Sequence, residues 1–422
     1  MSSPSPTSSA FSSPQRHCHL MLMFYLPETV VTLDSLSQLN GVDRSVTRQD
    51  IAKVDAEIQR YHRLGLVEDA DGSYRMAGAE LDQRLCLFHW LRRALRLAPD
   101  FVQERFTPAL RRQLKARRVN TALYDERNLS ALIQHCAQGL SREFTPRNRL
   151  FLQLFMQHSL CRDVCATFSS PQRSWLVGRQ EYPVAERVIR HWQKRCDPAP
   201  DLSQAWLFAL LFSQLHVPSM AAAKHEHEQQ VLEQVRETIA RFESLSEMQF
   251  SDREGLCSQL YTHLAQAMER SLFGIGIDNS LTEEVARLYP RLLRTTQTAV
   301  EACEQRYGLR FSQEELALIA IIFGAWLMQD NVLQEKQVLL LTAHDKALEQ
   351  QVEQQLRELT LLPLTIKYLS VGDFQRDSAP KGTALVITPY ATPLPLYSPP
   401  LIHAELPLQA HQQQRIRLLL ES

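Results

Sequence analysis

Glycine is scarce in this chain, 13 of 422 residues, about 3% where globular proteins average roughly 7%. Phosphate-cradling loops need it, because a residue without Cβ lets backbone N–H groups close around an anion. The single Gly-x-Gly, Gly274-Ile275-Gly276, has no third glycine behind it and no long strand before it, and no Gly-Lys-Ser/Thr occurs. Dinucleotide-binding and P-loop chemistry are thereby excluded. Paired cysteines are missing too. The eight cysteines, at 18, 86, 136, 161, 165, 196, 257 and 303, show no Cys-x-x-Cys spacing, and with no secretory signal they are expected to be reduced. Cys161 and Cys165, one helical turn apart in an apolar setting, are expected in a core. His17-Cys18-His19 and His225-Glu226-His227 have no second pair at ligand spacing, so neither a metal nor a cofactor is expected. Long apolar runs are absent near the amino terminus, where residues 20–26 are far too short to span a bilayer, and the Ser/Pro-rich residues 1–15 carry no positive n-region. A cytoplasmic protein with a disordered leader over 1–15 and no membrane partner is expected.

The net charge is −1, which by itself favours neither a nucleic-acid coat nor an acidic tail. Its distribution is uneven: residues 1–118 hold 17 basic and 13 acidic side chains, and 119–422 hold 29 and 34. Between Arg84 and Arg118 ten basic residues face only Asp100 and Glu104. Such a run reads as a solvated helix face or as a local reserve of positive potential.

Helical spacing begins at Gln15, with Leu20, Met23 and Phe24 on one face and Pro27 as the stop. Residues 36–51 then give a short helix, a turn at Gly41, and a second helix opened by Asp43, with Leu36, Leu39, Val42, Val46 and Ile51 at the apolar positions of a helix-turn-helix. Residues 65–68 and 72–76 flank an Asp71-Gly72 turn and predict a hairpin. Helices followed by a hairpin make a winged helix-turn-helix over 16–78, with connecting Arg-rich helices over 79–118. On the functional reading the second helix enters a DNA major groove and Arg44, Arg48 and Lys53 reach phosphates or guanine edges. The alternative is a winged helix used for protein contacts, which suits the seven basic and ten acidic residues of 16–80.

An internal repeat follows. Phe144-Thr145-Pro146-Arg147 through Leu154 stands 106 residues before Phe250-Ser251-Asp252-Arg253 through Leu260, and Tyr182-Pro183 answers Tyr289-Pro290 at 107. Helical periodicity between these landmarks predicts two bundles, over 119–224 and 229–332, joined by the His-Glu-His-Glu link of 224–228. Beyond it, apolar runs at 338–341, 365–369 and 384–387 alternate with helical spacing at 348–359 and 412–420, a small α/β domain over 336–422.

The second bundle resembles the PTS regulation domain, or PRD, of bacterial sugar-utilisation regulators. The matching pieces are Gln259-Leu260-Tyr261-Thr262-His263-Leu264-Ala265-Gln266-Ala267 with Arg270, Asn279-Ser280-Leu281 through Tyr289-Pro290, and Tyr307-Gly308-Leu309 with Glu315-Leu316-Ala317-Leu318-Ile319-Ala320. The order of winged helix, two PRDs and a terminal α/β domain is similar to a shortened PRD-containing transcriptional activator whose last domain is like the sugar-transport enzyme IIB. The resemblance implies a mainly α multidomain protein that is not an enzyme, dimerises through its PRDs, binds DNA, and meets phosphocarrier proteins that phosphorylate PRD histidines. A phosphoryl group brings close to two negative charges, enough to bias a dimer contact. His263 fits the first-site motif of the second PRD. The other three expected positions fall at Gln157, near Leu211 and near Ile322, none a histidine; His158, beside Gln157, is turned about 100° away. The IIB family takes phosphate on a cysteine at the end of its first strand, but here the strand ends in Leu341-Thr342-Ala343-His344 and no cysteine follows Cys303. Phosphocysteine chemistry is absent from the last domain, and His344 reads as a solvated loop histidine. The primary expectation is thus a transcription regulator with most phosphorylation sites lost; the alternative is an interaction module, derived from such a regulator, that no longer binds DNA.

Overall fold

The computed structural model describes residues 11–421 apart from 27, 28, 198 and 330–333. Most of the expected leader, and Pro27 as the expected stop of the first helix, lie outside the described residues. The chain divides into two compact units, 1–228 with 265–277 and 229–264 with 278–422.

In the first unit, α1 (Ser13–Phe24) opens two residues ahead of the expected Gln15. Ser12 donates its N–H to Gln15 Oε1 at 3.0 Å, half of a capping box, so residues 13–15 are helix and not leader. β1 (Val31–Thr32) leads into α2 (Leu33–Asn40), which Gly41 ends at φ 62°, a left-handed conformation that suits a residue without Cβ. Asp43 then precedes α3 (Arg44–His62). Ser37 and Thr47 join their hydroxyls at 2.8 Å, fixing the two helices, and Ile51, Val54 and Ile58 bury the inner face of α3. β2 (Gly65–Glu68) and β3 (Ser73–Ala77) form the expected hairpin, from Gly65 opposite Ala77 to Glu68 opposite Tyr74, with Gly72 at φ 77°. β1 adds a third strand beside β3 that two residues of sequence do not announce.

α4 (Glu80–Leu97) runs through α5 (Pro99–Phe101) and a π-helical turn (Val102–Phe106) into α6 (Thr107–Ala116). The Arg-rich stretch is only partly a solvated face. Arg84 is 2% exposed, bonded to Glu80 at 2.6 Å and to the Ser159 hydroxyl at 3.1 Å. Arg93 reaches Glu57 at 2.6 Å across the face of Trp90, and Arg117 pairs with Asp163. Arg92, Arg96, Arg112, Lys115 and Arg118 are exposed. α7 (Thr121–Tyr124) precedes α8 (Glu126–Gly139), α9 (Pro146–Leu160), α10 (Ser170–Leu176), α11 (Glu181–Gln193) and α12 (Gln204–Leu215). One continuous apolar core reaches from Cys18 to Leu215 and takes in Phe273 and Ile275, so the amino-terminal helices and the first bundle bury their faces together. Cys161 is buried as expected, but Cys165 lies past the end of α9 and is exposed, so the two do not form a core pair.

α13 (Glu226–Ser246) opens within the expected link, and α14 (Arg253–Phe273), α15 (Thr282–Leu288), α16 (Pro290–Tyr307) and α17 (Gln313–Gln329) follow. Long, long, short, long, long is also the order of α8 to α12, which gives the sequence repeat its structural form. Phe144 and Phe250 are both buried just ahead of the second helix of their repeats. Pro183 and Pro290 both sit in a first helical turn, where the missing N–H costs nothing. Gly308 ends α16 at φ 62°.

The carboxy-terminal part is a four-stranded, wholly parallel sheet. β4 (Lys336–Thr342), β5 (Leu364–Ser370), β6 (Thr383–Thr388) and β7 (Leu401–His403) stand in the order β5-β4-β6-β7. Val338 to Leu341 are fully buried, as a central parallel strand covered on both faces requires. α18 (Lys346–Leu359), α19 (Val371–Asp377) and α20 (Ala410–Glu421) accompany it. The chain is thus mainly helical with a small α/β end. Among the described residues no helix is long and apolar enough to cross a membrane.

Candidate functional site

The exposed residues of α3 occupy about half its circumference at 100° per residue. Small side chains, Ser45, Ala52 and Ala56, run along the middle with Arg48 nearby; Arg44 stands on one flank, Lys53 and Arg60 on the other. All three expected contacts, Arg44, Arg48 and Lys53, are exposed, yet they bracket the face instead of lining one stripe. Of the helix's acidic residues, Asp50 and Glu57 lie outside this half, and Asp55 stands between Arg44 and Arg48 at its edge. Asp50, 2% exposed, holds Arg16 at 2.7 Å and His17 at 3.0 Å. Burial alone would raise its pKa, but the hydrogen bonds from Arg16 and His17 hold it below the usual carboxylate value. Asp55 accepts the Leu66 N–H at 2.7 Å, and Glu57 takes Arg93. The acidic balance of residues 16–80 therefore overstates the free acid on this surface without removing it. Arg44 pairs at 2.9 Å with Asp34, both well exposed.

His263 projects from α14 beside a line of fully buried residues, Leu256, Leu260, Leu264 and Met268, at the edge of the apolar stripe where the helical spacing puts it. Its side chain is 18% exposed, and Nε2 is buried 3.3 Å from Glu315 Oε2, off the line of a good hydrogen bond. Glu315 is buried in the first turn of α17, where the Ser312 hydroxyl accepts its N–H at 3.2 Å and the helix N-terminus favours a negative charge. The family motif residues around it act as clamps. Asn279 donates to the Glu314 carbonyl at 3.1 Å and accepts the Leu281 N–H at 3.0 Å.

At the three other expected positions, Gln157 is buried and donates to the Tyr124 carbonyl at 3.1 Å, Leu211 is buried, and Ile322 is half-buried. His158 is 1% exposed; burial first, and then the nearby Arg84 and Arg162, press its pKa well below the ordinary imidazole value. In each of the other two motifs one histidine serves packing, while His17 meets Asp50 and His225 is exposed. His19 Nδ1 meets Asn40 at 2.8 Å, and His227 stands edge-on to Trp175, its pKa lowered to about 3 by burial and then by Arg179.

In the loop after β4, His344 is exposed at φ 78°. The Ala343 N–H donates to Glu349 Oε1 at 3.1 Å, and the Tyr390 hydroxyl donates to the same oxygen at 3.0 Å. Glu349 is 6% exposed. The loop at the end of β4 is closed on a carboxylate of the chain itself.

Sequence reasoning missed Glu269, in the last turns of α14 and 1% exposed. It accepts from Gln214 at 2.7 Å and Trp175 at 3.2 Å, and makes close contacts with Ser213 and Arg179. Arg179 also pairs with Glu181, which holds Arg142 at 2.7 Å. The available signal was a glutamate directly following the buried Ala267-Met268 pair, but its partners come from two other helices, α10 and α12, and the loop before α11.

Against known proteins, the PRD domain family matches residues 236–326, and the carboxy-terminal domain family of the stationary phase-inducible protein CsiE matches 336–420. Stationary phase-inducible protein CsiE of Escherichia coli (strain K12) is 49% identical over 418 residues, 98% of each chain. Carrying a PRD in its second helical bundle and spanning that relative nearly end to end, the chain belongs to the CsiE family of PRD-containing proteins.

Proposed function

We propose that the chain is a cytoplasmic, non-enzymatic transcription regulator that binds DNA through residues 16–78 as a winged helix and dimerises through two PRDs, the first being the bundle of α8 to α12. The observation that carries this reading is the exposed half of α3: small residues along the middle, cations on both flanks, and the three acids of the helix each held by a partner within the chain. A major groove accepts a helix with such a middle, and the flanking cations fall toward the two phosphate backbones. The α/β end is read as an enzyme-IIB-like domain whose anion loop is occupied by Glu349. Genome-wide DNA pull-down with the full chain is expected to recover discrete sites that vanish in an Arg44→Ala/Arg48→Ala double variant. Recovery of nothing above background sinks the reading.

His263 is the proposed contact with phosphocarrier proteins. Its Nε2 faces Glu315, so Nδ1 is the nitrogen free to attack the phosphorus of a phosphohistidine carrier, whose own P–N bond breaks as its imidazole leaves. Incubation with the phosphoenolpyruvate-driven carriers and labelled phosphate tests this: label is expected on the wild type and absent from His263→Ala, and label persisting in the variant rules the site out. A second reading, an interaction module that no longer reads DNA, draws on the pairing of Arg44 with Asp34, and it predicts carrier capture without DNA recovery.

A further inference from the structure

Within the second unit a cleft of about 830 Å3 opens between α16 and the carboxy-terminal α/β part, lined by Arg291 and Arg294 of α16, Gln355 and Glu358 of α18, and Gln414 and Arg417 of α20. Its charges are unevenly settled. Arg294 bonds Glu358 at 2.8 Å. Arg291 donates to the Leu359 carbonyl, a neutral acceptor. The Arg417 Nε is fully buried without a hydrogen-bond partner among the described residues, and its nearest carboxylate oxygen, on Glu421, is 3.8 Å away. Burial, and next the closeness of Arg417, lower the Arg291 pKa, so two guanidinium groups crowd the same space. Arg291 is half-buried and the Arg417 side chain 38% exposed, and Glu421, also in the lining, offsets part of their repulsion; an anion bridging both guanidinium groups would offset the rest.

The rest of the lining selects the kind of anion. Gln355 accepts the Leu408 N–H at 2.8 Å and keeps its amide N–H groups for a ligand, Gln413 donates to the Leu408 carbonyl at 2.8 Å and keeps its oxygen, and Gln414 offers both, a mixed pattern that suits hydroxyl groups. The volume lies in the range of small-molecule sites and far exceeds a lone phosphate. We propose that this cleft binds a phosphate monoester carried on a small hydroxyl-rich body, with the phosphate forked between Arg291 and Arg417 and the hydroxyls on the glutamine amides. This inference is independent of DNA binding. The two arginines come from the two sides of the cleft, so the ligand would hold them together.

Isothermal titration of the full-length chain tests it with glucose 6-phosphate, fructose 1-phosphate and glycerol 3-phosphate, against inorganic phosphate, free glucose and citrate. At least one phosphate ester is expected to bind about tenfold or more tighter than each of the three controls. Arg417→Gln is expected to weaken it about tenfold, and so is Gln414→Glu, which places a like charge in the cleft at an exposed position and leaves the core untouched. Thermal melting of both variants without ligand checks that they are folded. No heat from any of the three esters at about 10 mM, equal or tighter binding of citrate or inorganic phosphate, or ester binding undiminished in both folded variants overturns the proposal.

Discussion

Asp34→Asn and Arg44→Ala are expected to move DNA affinity in opposite directions. In the free protein Arg44 Nε sits 2.9 Å from Asp34 Oδ1, with the side chains 63% and 73% exposed. A pair so exposed is worth about 0.2–1 kcal/mol, and a DNA phosphate must displace it before Arg44 can make its own contact. Removing the carboxylate spares that cost, so Asp34→Asn should tighten binding about 1.5- to 5-fold. Arg44→Ala instead deletes a contact worth about 1–3 kcal/mol if it is to a base edge, and if it is to a phosphate the plot of log affinity against log salt becomes shallower by about 0.9. Fluorescence anisotropy on fragments recovered by pull-down, titrated between about 50 and 200 mM KCl, reads both quantities. If both variants shift affinity the same way, or Arg44→Ala changes neither affinity nor salt slope, the amino-terminal end of α3 is not in the interface.

Three further outcomes follow from the packing. Glu269→Ala removes the carboxylate to which Arg179, Gln214 and Trp175 donate, leaving Arg179 only Glu181, and should cost up to about 3–5 kcal/mol, read by urea unfolding; a loss under about 1 kcal/mol contradicts the buried network. His227 has a folded pKa depressed to about 3 from 6.5. The unfolded chain therefore binds its proton first as pH falls, and stability is lost from about pH 6.5 downward. Between pH 7 and 5 this group should cost about 2 kcal/mol, and His227→Gln should flatten the melting-temperature profile by that share; an unchanged profile refutes the assignment. Gly78 sits at φ 144°, where an added Cβ would meet Leu64 Cδ2 at 2.3 Å and the Arg63 carbonyl at 3.2 Å. Gly78→Ala should lower stability by about 1–3 kcal/mol, and an unaltered thermal midpoint contradicts that crowding.

What could be read in advance is what local chemistry dictates. The Asp71-Gly72 turn made the hairpin, Gly41 turned the chain between its two helices, and the apolar run at 338–341 became a buried central strand. Strands of two and three residues, β1 and β7, were invisible because so few side chains carry no period. Charge misled for a different reason. Counting acids in 16–80 treats Asp50, Asp55 and Glu57 as surface, whereas each is held by a partner up to 36 residues away. Arg84 was equally misplaced, since nothing near it in sequence reveals Ser159 as its second partner. The edge position of His263 was legible from the Leu256–Leu260–Leu264–Met268 line, but the carboxylate beside it, from Glu315, 52 positions later in the chain, was not.

Glu349 gives the loop after β4 a property that phosphorylation does not provide. A phosphoryl group comes and goes with metabolism, so a loop that receives one has two electrostatic states. The carboxylate that accepts from Ala343 and Tyr390 is written into the gene and present in every copy of the protein at all times. The turn at the end of β4 and the Tyr390 hydroxyl are thereby tied to a charge fixed by the sequence, with no ligand needed to hold them there.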